Sequence, residues 1–159
     1  MSVLKAENVT YVYQSKYQQV KALDGVSCDF EAGKFYAIVG QSGSGKTTLL
    51  SMLAGLGTPN EGEVVANGQS VKEFGSERHR RENVSVIYQA FNLFPSLNIL
   101  ENVMYPMMIQ KAQSGKAKER AKELLAAVGL EDVDPRKLPA MLSGGQQQRV
   151  AIARALASS

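Results

Sequence analysis

The sequence predicts an α/β fold, and three observations support this class. The continuous apolar run Phe35–Val39 is typical of a strand buried inside a parallel sheet. The glycine-rich segment GQSGSGKTT, at Gly40–Thr48, follows this run directly and leads into the helix-like stretch Lys46–Ala54. Before about position 90 the other patterns favour strands, whereas after it they favour helices.

The composition is that of an ordinary soluble domain. The 159 residues are 44% hydrophobic and 21% charged, which is enough for one real core. The sequence shows no signal peptide and no apolar run near the roughly 20 residues that span a bilayer. Cys28 is the single cysteine, which excludes an internal disulfide and fits a reducing cytoplasm. The net charge of +3 does not argue for nucleic acid, and we expect Arg78–Arg81, including His79, to be a solvated loop face.

Strands are predicted from alternation and β-branched residues. Val3–Tyr13 and Val20–Phe30 fit this pattern. Glu63–Ala66 is a short strand that ends at the turn signal Asn67-Gly68. Val84–Gln89 is predicted as another buried strand.

Helices are predicted from end signals and from period 3.6. Asn98, with Glu101 three residues later, predicts a capped helix start, and Pro106 should kink or end that helix. Gly129 should stop a second helix, whose apolar face contains Ala117, Ala121, Leu124, Leu125 and Val128. Ser143 precedes a third helix, predicted over Gln146–Ala157. These patterns divide the chain into a core with a β-subdomain (1–89), a helical subdomain (90–141) and a final segment (142–159).

The glycine-rich segment has the chemistry of a phosphate-binding loop. Gly40, Gly45, Lys46 and Thr47 match the pattern G-x-x-x-x-G-K-[ST], between a strand and a helix as that pattern requires. Such a loop turns its backbone N–H groups inward, and the positive end of the following helix points at the same place. A polyphosphate is the expected ligand.

A second motif narrows the family. LSGGQQQR, at Leu142–Arg149, resembles the signature motif of ABC transporter ATPases and lies at a helix start, as it does there. Gln89 resembles the glutamine of that family's Q-loop. Tyr13 stands where the family places an aromatic residue that stacks on adenine, although Tyr11 competes for this role. The segments Glu61–Glu63 and Asn67-Gly68 also resemble the family's β-turn region.

The resemblance implies a P-loop NTPase core with an N-terminal antiparallel β-subdomain and an inserted α-helical subdomain. It also implies ATP and Mg²⁺ as cofactors. Lys46 would bridge the β- and γ-phosphates, Thr47 would hold Mg²⁺, Thr48 would reach the α-phosphate, and Gln89 would contact Mg²⁺ and the attacking water. Lys46 and Gln89 are then the catalytic candidates. The full set of expected nucleotide-binding residues is Tyr13, Gly40, Ser42, Gly43, Ser44, Gly45, Lys46, Thr47, Thr48, Gln89, Ser143, Gly144, Gly145 and Gln146.

The resemblance further implies two partners and a location. In the family a second ATPase domain binds head to tail, so that Ser143–Gln146 of one domain cover the nucleotide held by the other. Tyr88–Pro95 resembles the lipoprotein-releasing and macrolide-exporting type, which serves a membrane permease from the cytoplasmic face. Apolar residues there either line a groove for the permease or simply pack, namely Phe91, Leu93, Phe94, Leu97 and Ile99. The alternatives are a soluble ABC-type ATPase without a permease and a non-hydrolysing ATP-binding regulator.

Three family motifs have no counterpart in these 159 residues. They are the apolar strand ending in Asp-Glu (Walker B), the D-loop and the switch histidine. His79 is not the switch histidine, because it precedes Gln89 in the chain. From the resemblance we expect a C-terminally truncated ATPase with an uncovered sheet edge, and we expect this stretch alone not to hydrolyse ATP.

Overall fold

The computed structural model describes residues 2–158, which separate into two compact units, residues 2–84 and 85–158. The first unit holds a sheet and the glycine-rich loop. The second holds the three long helices predicted after position 90 and includes the signature motif. In the described part of the chain, no helix is long and apolar enough to cross a membrane.

A four-stranded antiparallel sheet forms the first unit. Its strands are β1 (Ser2–Gln14), β2 (Gln19–Glu31), β3 (Glu61–Ala66) and β4 (Gln69–Ser70), in the order β2-β1-β3-β4. The first three confirm predicted strands, while β4 was not predicted. At only two residues, β4 is too short to show a side-chain period.

Two features of the local sequence set the register of this sheet. Asn67 and Gly68 connect β3 and β4 with φ of 49° and 80°, the left-handed pair of a two-residue hairpin turn. Gly62 has φ of 74°, and a Cβ at this position would collide with the backbone carbonyls of Glu7 and Asn8. Only glycine therefore allows β3 to approach the irregular stretch of β1 so closely.

Three helices accompany the sheet. Helix α1 (Lys46–Leu53) was predicted, whereas α2 (Val71–Phe74) and α3 (Ser76–Glu82) were not. α1 buries its inward side chains against the sheet. The buried core of this unit consists of Ala6, Val9, Leu23, Leu49, Met52, Leu53, Val64, Ala66 and Val71. Cys28 is half-buried beside it, and this burial raises the pKa of its thiol, as fits a packing role.

The prediction for Arg78–Arg81 is wrong in two respects. These residues lie on α3, and His79 is only 1% exposed. Its Nε2–H donates to the carbonyl of Leu53 at 2.9 Å, and its Nδ1 accepts from the side-chain amide of Asn83 at 3.4 Å. His79 therefore closes the C-terminal end of α1, where carbonyl groups otherwise lack partners.

The two strands predicted for a parallel sheet are also wrong. In the described structure neither 34–39 nor 84–89 forms a strand. Phe35 is 96% exposed and Val39 is 86% exposed, while Ile38 packs against the first core. A strand exists only where a neighbour completes its ladder of hydrogen bonds, and β1–β4 complete one another's ladder without these segments.

The second unit is helical. Its helices are α4 (Ile99–Ile109), α5 (Ser114–Ala127) and α6 (Gly144–Leu156), with a 3-10 turn at Pro139–Met141 before α6. α6 begins two residues earlier than predicted. Their shared core consists of Ile99, Val103, Met107, Ala117, Ala121, Leu124, Leu125, Leu130, Leu142, Val150, Ala153 and Ala157.

The capping signals of these helices behave as predicted, and of the two outcomes predicted for Pro106 the structure excludes the ending of the helix. Asn98 and Glu101 form a capping box, with Glu101 N–H donating to the Asn98 side chain at 2.9 Å. Gly129, at φ 72°, follows the end of α5. Pro106 does not end α4, which continues to Ile109 because the N–H of Gln110 still reaches the Pro106 carbonyl at 3.2 Å.

Candidate nucleotide site and signature helix

The glycine-rich loop is held in a conformation that glycine makes possible. Gly43 and Gly45 have φ of 79° and 88°, in the left-handed region that other residues rarely adopt. A Cβ on Gly45 would also collide with the carbonyl oxygen of Ala22 on β2. The loop thus lies directly against the sheet, and α1 starts immediately after Gly45, with Leu49 N–H donating to its carbonyl at 2.8 Å.

Lys46 lies across this loop. Its Nζ donates to the carbonyls of Gly40 at 2.9 Å and Gln41 at 2.6 Å, and it is 3.4 Å from the Ser44 hydroxyl. The ammonium group is therefore positioned over the loop by its own backbone. An anion entering the loop would meet this charge together with the positive end of α1, whose first turn contains no acidic side chain.

A cavity of about 420 Å³ opens beside the loop. It is lined by Tyr13, Val20, Lys21, Ala22 and the loop residues Ser42–Thr48. Both charged side chains of this lining are basic, and Lys21 is paired with Asp24 at 3.0 Å. The described residues that line the cavity are thus suited to an anionic ligand.

Tyr13 belongs to this cavity, whereas Tyr11 packs against the core of the sheet. The two rings meet edge to face, with centroids 4.9 Å apart. Tyr13 is half exposed, so one face of its ring is accessible. Its hydroxyl lies 3.2 Å from the hydroxyl of Thr48, which is buried, whereas Thr47 is exposed.

The signature motif starts α6 through a second capping box. The Ser143 hydroxyl accepts from Gln146 N–H at 3.3 Å, and the Gln146 side chain accepts from Ser143 N–H at 3.0 Å. Gly144 and Gly145 have no heavy atom within 4 Å of where a Cβ would stand. Since no atom of the described structure fills that space, these glycines leave room for an outside group to approach the helix start.

Gln89 lies in the second unit, on an exposed turn before α4. The turn is closed by Phe91 N–H donating to the Tyr88 carbonyl at 3.0 Å. Phe91 and Asn92 then follow with φ of 61° and 46°. No group of three His, Cys, Asp or Glu residues among positions 2–158 could hold a metal ion, so a cation here would need hydroxyl, amide or ligand oxygens.

The apolar residues after Gln89 mostly pack. Ile99 is fully buried in the helical core and Leu93 packs against that core, so for these two residues the packing alternative holds. Phe91 and Leu97 are half-buried. Of the five predicted residues only Phe94 is exposed, and it is joined by the exposed apolar residues Tyr105, Met108 and Ile109 of α4.

Two residues that matter to this region were not predicted. Asn102 is fully buried, and its side chain bonds the N–H and carbonyl of Phe94 and the carbonyls of Leu97 and Asn98. Arg154 bonds the carbonyls of Phe91 and Asn92. The sequence contained one signal for Asn102. It is a polar residue on the buried face of the predicted helix, next to the apolar Val103.

Similarity to known proteins agrees with this geometry. Residues 23–159 match the protein family described as ABC transporter. The lipoprotein-releasing system ATP-binding protein LolD of Chromohalobacter salexigens is 45% identical over 157 residues, covering 97% of this chain and 66% of LolD. The methionine import ATP-binding protein MetN 1 of Staphylococcus epidermidis is 40% identical over 158 residues, covering 98% of this chain and 46% of MetN 1.

A solved structure is also closely similar. It is the dimeric post-hydrolysis state of the ATP-binding cassette MJ0796 bound to ADP and Pi, with a TM-score of 0.90 and 38% identity, covering 98% of this chain and 69% of that one. The glycine-rich loop beside an antiparallel sheet, and the signature motif at a helix start in a helical unit, agree with this family and this fold. The chain belongs to the ABC transporter family, and it spans about two thirds of the length of LolD.

Proposed function

We propose that this chain binds ATP in the cavity beside Gly40–Thr48. The observation that carries the proposal is the loop itself. Its left-handed glycines lead into α1, and the ammonium of Lys46 lies across it. Backbone N–H groups of Gly43–Lys46 would hold the β-phosphate, with Gly40, Ser42 and Ser44 completing the loop. Tyr13 would offer its exposed ring face to the adenine.

We propose that Mg²⁺ binds here together with the nucleotide and not by itself. Thr47 is exposed at the start of α1 and offers a hydroxyl oxygen, and Gln89 offers an amide oxygen. Mg²⁺ commonly combines one or two protein ligands with phosphate oxygens and water. When bound, the ion would neutralise phosphate charge, while Lys46 stabilises charge on the transferred group and Gln89 orients the attacking water. Thr48 would exchange its contact with Tyr13 for the α-phosphate.

The signature residues would serve a second ATPase domain. Ser143, Gly144, Gly145 and Gln146 begin α6 with open space above the two glycines. Ser143 accepts its capping bond, which leaves the hydroxyl proton available as a donor. A head-to-tail dimer would bring this helix start onto the phosphates held by the partner, and the related cassette MJ0796 is a dimer.

Transport is the proposed use of this chemistry. The exposed apolar residues Phe94, Tyr105, Met108 and Ile109 would offer a surface to a membrane permease, and the chain would then act on the cytoplasmic side of the membrane. The named relatives act in lipoprotein release and in methionine import. We favour export or extraction because Tyr88–Pro95 resembles the releasing type, and we propose no binding to nucleic acid.

The binding test uses the purified chain with Mg-ATP and isothermal titration calorimetry. Lys46→Ala should weaken binding by about 10- to 100-fold, since a hydrogen bond to a charged group contributes roughly 1.5–3 kcal/mol. Lys34→Ala is the matched control, because it removes a lysine of the same unit that pairs with Glu31. This variant should bind like the wild type.

One outcome would contradict the proposed binding, and another would contradict the expected lack of turnover. One is a wild-type chain that is folded by circular dichroism and shows no binding of Mg-ATP. The other concerns turnover, which we expect to be undetectable because the described cavity wall holds no carboxylate that could act as general base. Turnover that disappears in Lys46→Ala would mean that a base is supplied by a group we have not identified.

A further inference from the structure

The turn after Gln89 contains a rare backbone conformation. Phe91 and Asn92 are consecutive residues in the left-handed region, at φ 61° and 46°. Asparagine tolerates this region, but an aromatic residue is strained there by about 1–2 kcal/mol. Surrounding contacts must therefore hold the turn in this form.

Arg154, near the end of α6, provides those contacts. Its two terminal nitrogens donate to successive carbonyls, Nη1 to Asn92 at 2.7 Å and Nη2 to Phe91 at 2.8 Å. The guanidinium also lies over the ring of Phe94, 5.7 Å from its centre. A planar fork is suited to bonding two carbonyls at once, and a lysine could not reproduce this geometry.

The guanidinium remains charged although it is half-buried. Burial lowers the pKa of Arg154, and the nearby Tyr88 opposes this effect. Arginine nevertheless stays protonated at any pH at which proteins fold. Because hydrogen bonds from a charged donor are roughly twice as strong as neutral ones, this contact is well suited to holding strained backbone.

A second, independent contact holds the next part of the chain. Asn102 of α4 bonds both the N–H of Phe94, at 2.9 Å, and its carbonyl, at 3.1 Å. Phe94 is thus fixed by α4, whereas Phe91 and Asn92 are fixed by α6. The two contacts can be separated by mutation because they act on different residues.

We propose that Arg154 is a positioning residue that fastens the turn carrying Gln89 to the signature helix. The turn and α6 then move together. A displacement of the N-terminal end of α6, at Ser143, therefore displaces Gln89, and a displacement of Gln89 moves that end of the helix. This inference rests on the proposed function only for the role given to Gln89. The fastening itself depends on contacts within the second unit.

The test is amide hydrogen exchange of the purified chain, measured residue by residue by NMR. Arg154→Met keeps the apolar stem and removes both donors, so the amides of Phe91 and Asn92 should exchange at least about tenfold faster. The amide of Phe94 should keep its wild-type rate, since Asn102 still holds it. Arg154→Lys should give an intermediate rate, because an ammonium can satisfy one carbonyl.

Arg120→Ala is the matched control. It removes a guanidinium of the same unit whose partner is Glu123 on its own helix, at 3.0 Å, and it should leave the turn unchanged. The inference is overturned if Phe91 and Asn92 keep their wild-type rates in Arg154→Met. It is equally overturned if exchange rises uniformly over α4–α6, since that result would show a general loss of stability.

A nucleotide titration separates this inference from the proposed function. ATP without Mg²⁺ should bind Arg154→Met within about twofold of the wild type, because the glycine-rich loop is untouched and Gln89 is proposed to act through the metal. Failure of the wild type to bind Mg-ATP would refute the proposed function while leaving the exchange result intact. A tenfold loss of affinity for Mg-free ATP in Arg154→Met would overturn the assignment of Arg154 to positioning alone.

Discussion

At the scale of single residues, the functional side chains are held by backbone groups more than by one another. Lys46 bonds two carbonyls of its own loop, His79 bonds the carbonyl of Leu53, and Arg154 bonds the carbonyls of Phe91 and Asn92. In each case a side-chain donor satisfies a carbonyl that lies outside regular ladders or at a helix end. Hydrogen bonds to main-chain carbonyls thereby fix these three side chains in place.

His79 gives a prediction at this scale. Its replacement by alanine should lower the free energy of unfolding by about 2–4 kcal/mol, since a buried ring and its bond to Leu53 are lost together. Chemical denaturation monitored by circular dichroism would measure this change. The neighbouring Arg78→Ala removes an exposed pair with Glu82 and a contact with the ring of Phe74, and it should cost no more than about 1–2 kcal/mol. Equal stability of the two variants would show that His79 is not part of the core.

At the scale of elements, the helix ends follow local rules. Both capping boxes can be recognised in the sequence, because the acceptor and the donor of each box are three residues apart. The same holds for α1 and for the Asn67-Gly68 hairpin, whose signals lie within a few residues of each other. These elements were therefore predictable from the sequence.

Ser143 gives a prediction about one such element. Ser143→Ala should lower the free energy of unfolding of the second unit by about 1 kcal/mol, because the N–H of Gln146 loses its acceptor. Ser114→Ala is the comparison, since Ser114 is the first residue of α5, a helix start with no side-chain capping bond, and alanine is the better helix former. The free energy of unfolding measured in urea should be lower for Ser143→Ala than for the wild type. For Ser114→Ala it should equal or exceed the wild-type value. The reverse order would mean that the capping bond contributes nothing.

Other features could not be predicted because they depend on distant residues. Arg154 reaches carbonyls 62 and 63 residues earlier in the chain, and no local pattern marks that contact. His79 is buried only because α3 packs on the end of α1. The residues 34–39 and 84–89 have the apolar character of buried strands, but a strand also needs a partner, and apolar character does not supply one. The phosphate-binding loop and the signature motif were recognisable because each is a contiguous segment.

At the scale of the whole molecule, exposed apolar surface is the main physical consequence of this fold. Phe35, Val39 and Ile87 are exposed large side chains within the segments that form no strand in the described structure. Unpaired backbone together with apolar side chains favours association with other chains. The chain should therefore associate as its concentration rises.

Phe35 tests this expectation. Phe35→Ser should weaken self-association by about tenfold or more, since burial of one phenylalanine side chain contributes roughly 1.5–3 kcal/mol. Sedimentation velocity over a range of concentrations would measure it. Tyr17→Ser is the control, because Tyr17 is an equally exposed aromatic residue at the β1–β2 hairpin. A chain that stays monomeric at all concentrations, or an equal effect of both substitutions, would contradict the role of Phe35.

The order of strands in the sheet also has a consequence for how the chain is made. Of these four strands β1 is synthesised first, yet it lies inside the sheet, with β2 on one side and β3 on the other. Ala6 pairs with Cys28 and also with Val64, so one side of β1 has its partner early and the other only after 36 further residues have left the ribosome. We expect the hairpin of β1 and β2 to form first, while the glycine-rich loop and α1 emerge beside a sheet that is still open. The loop is thus synthesised before β3 and β4 complete the sheet.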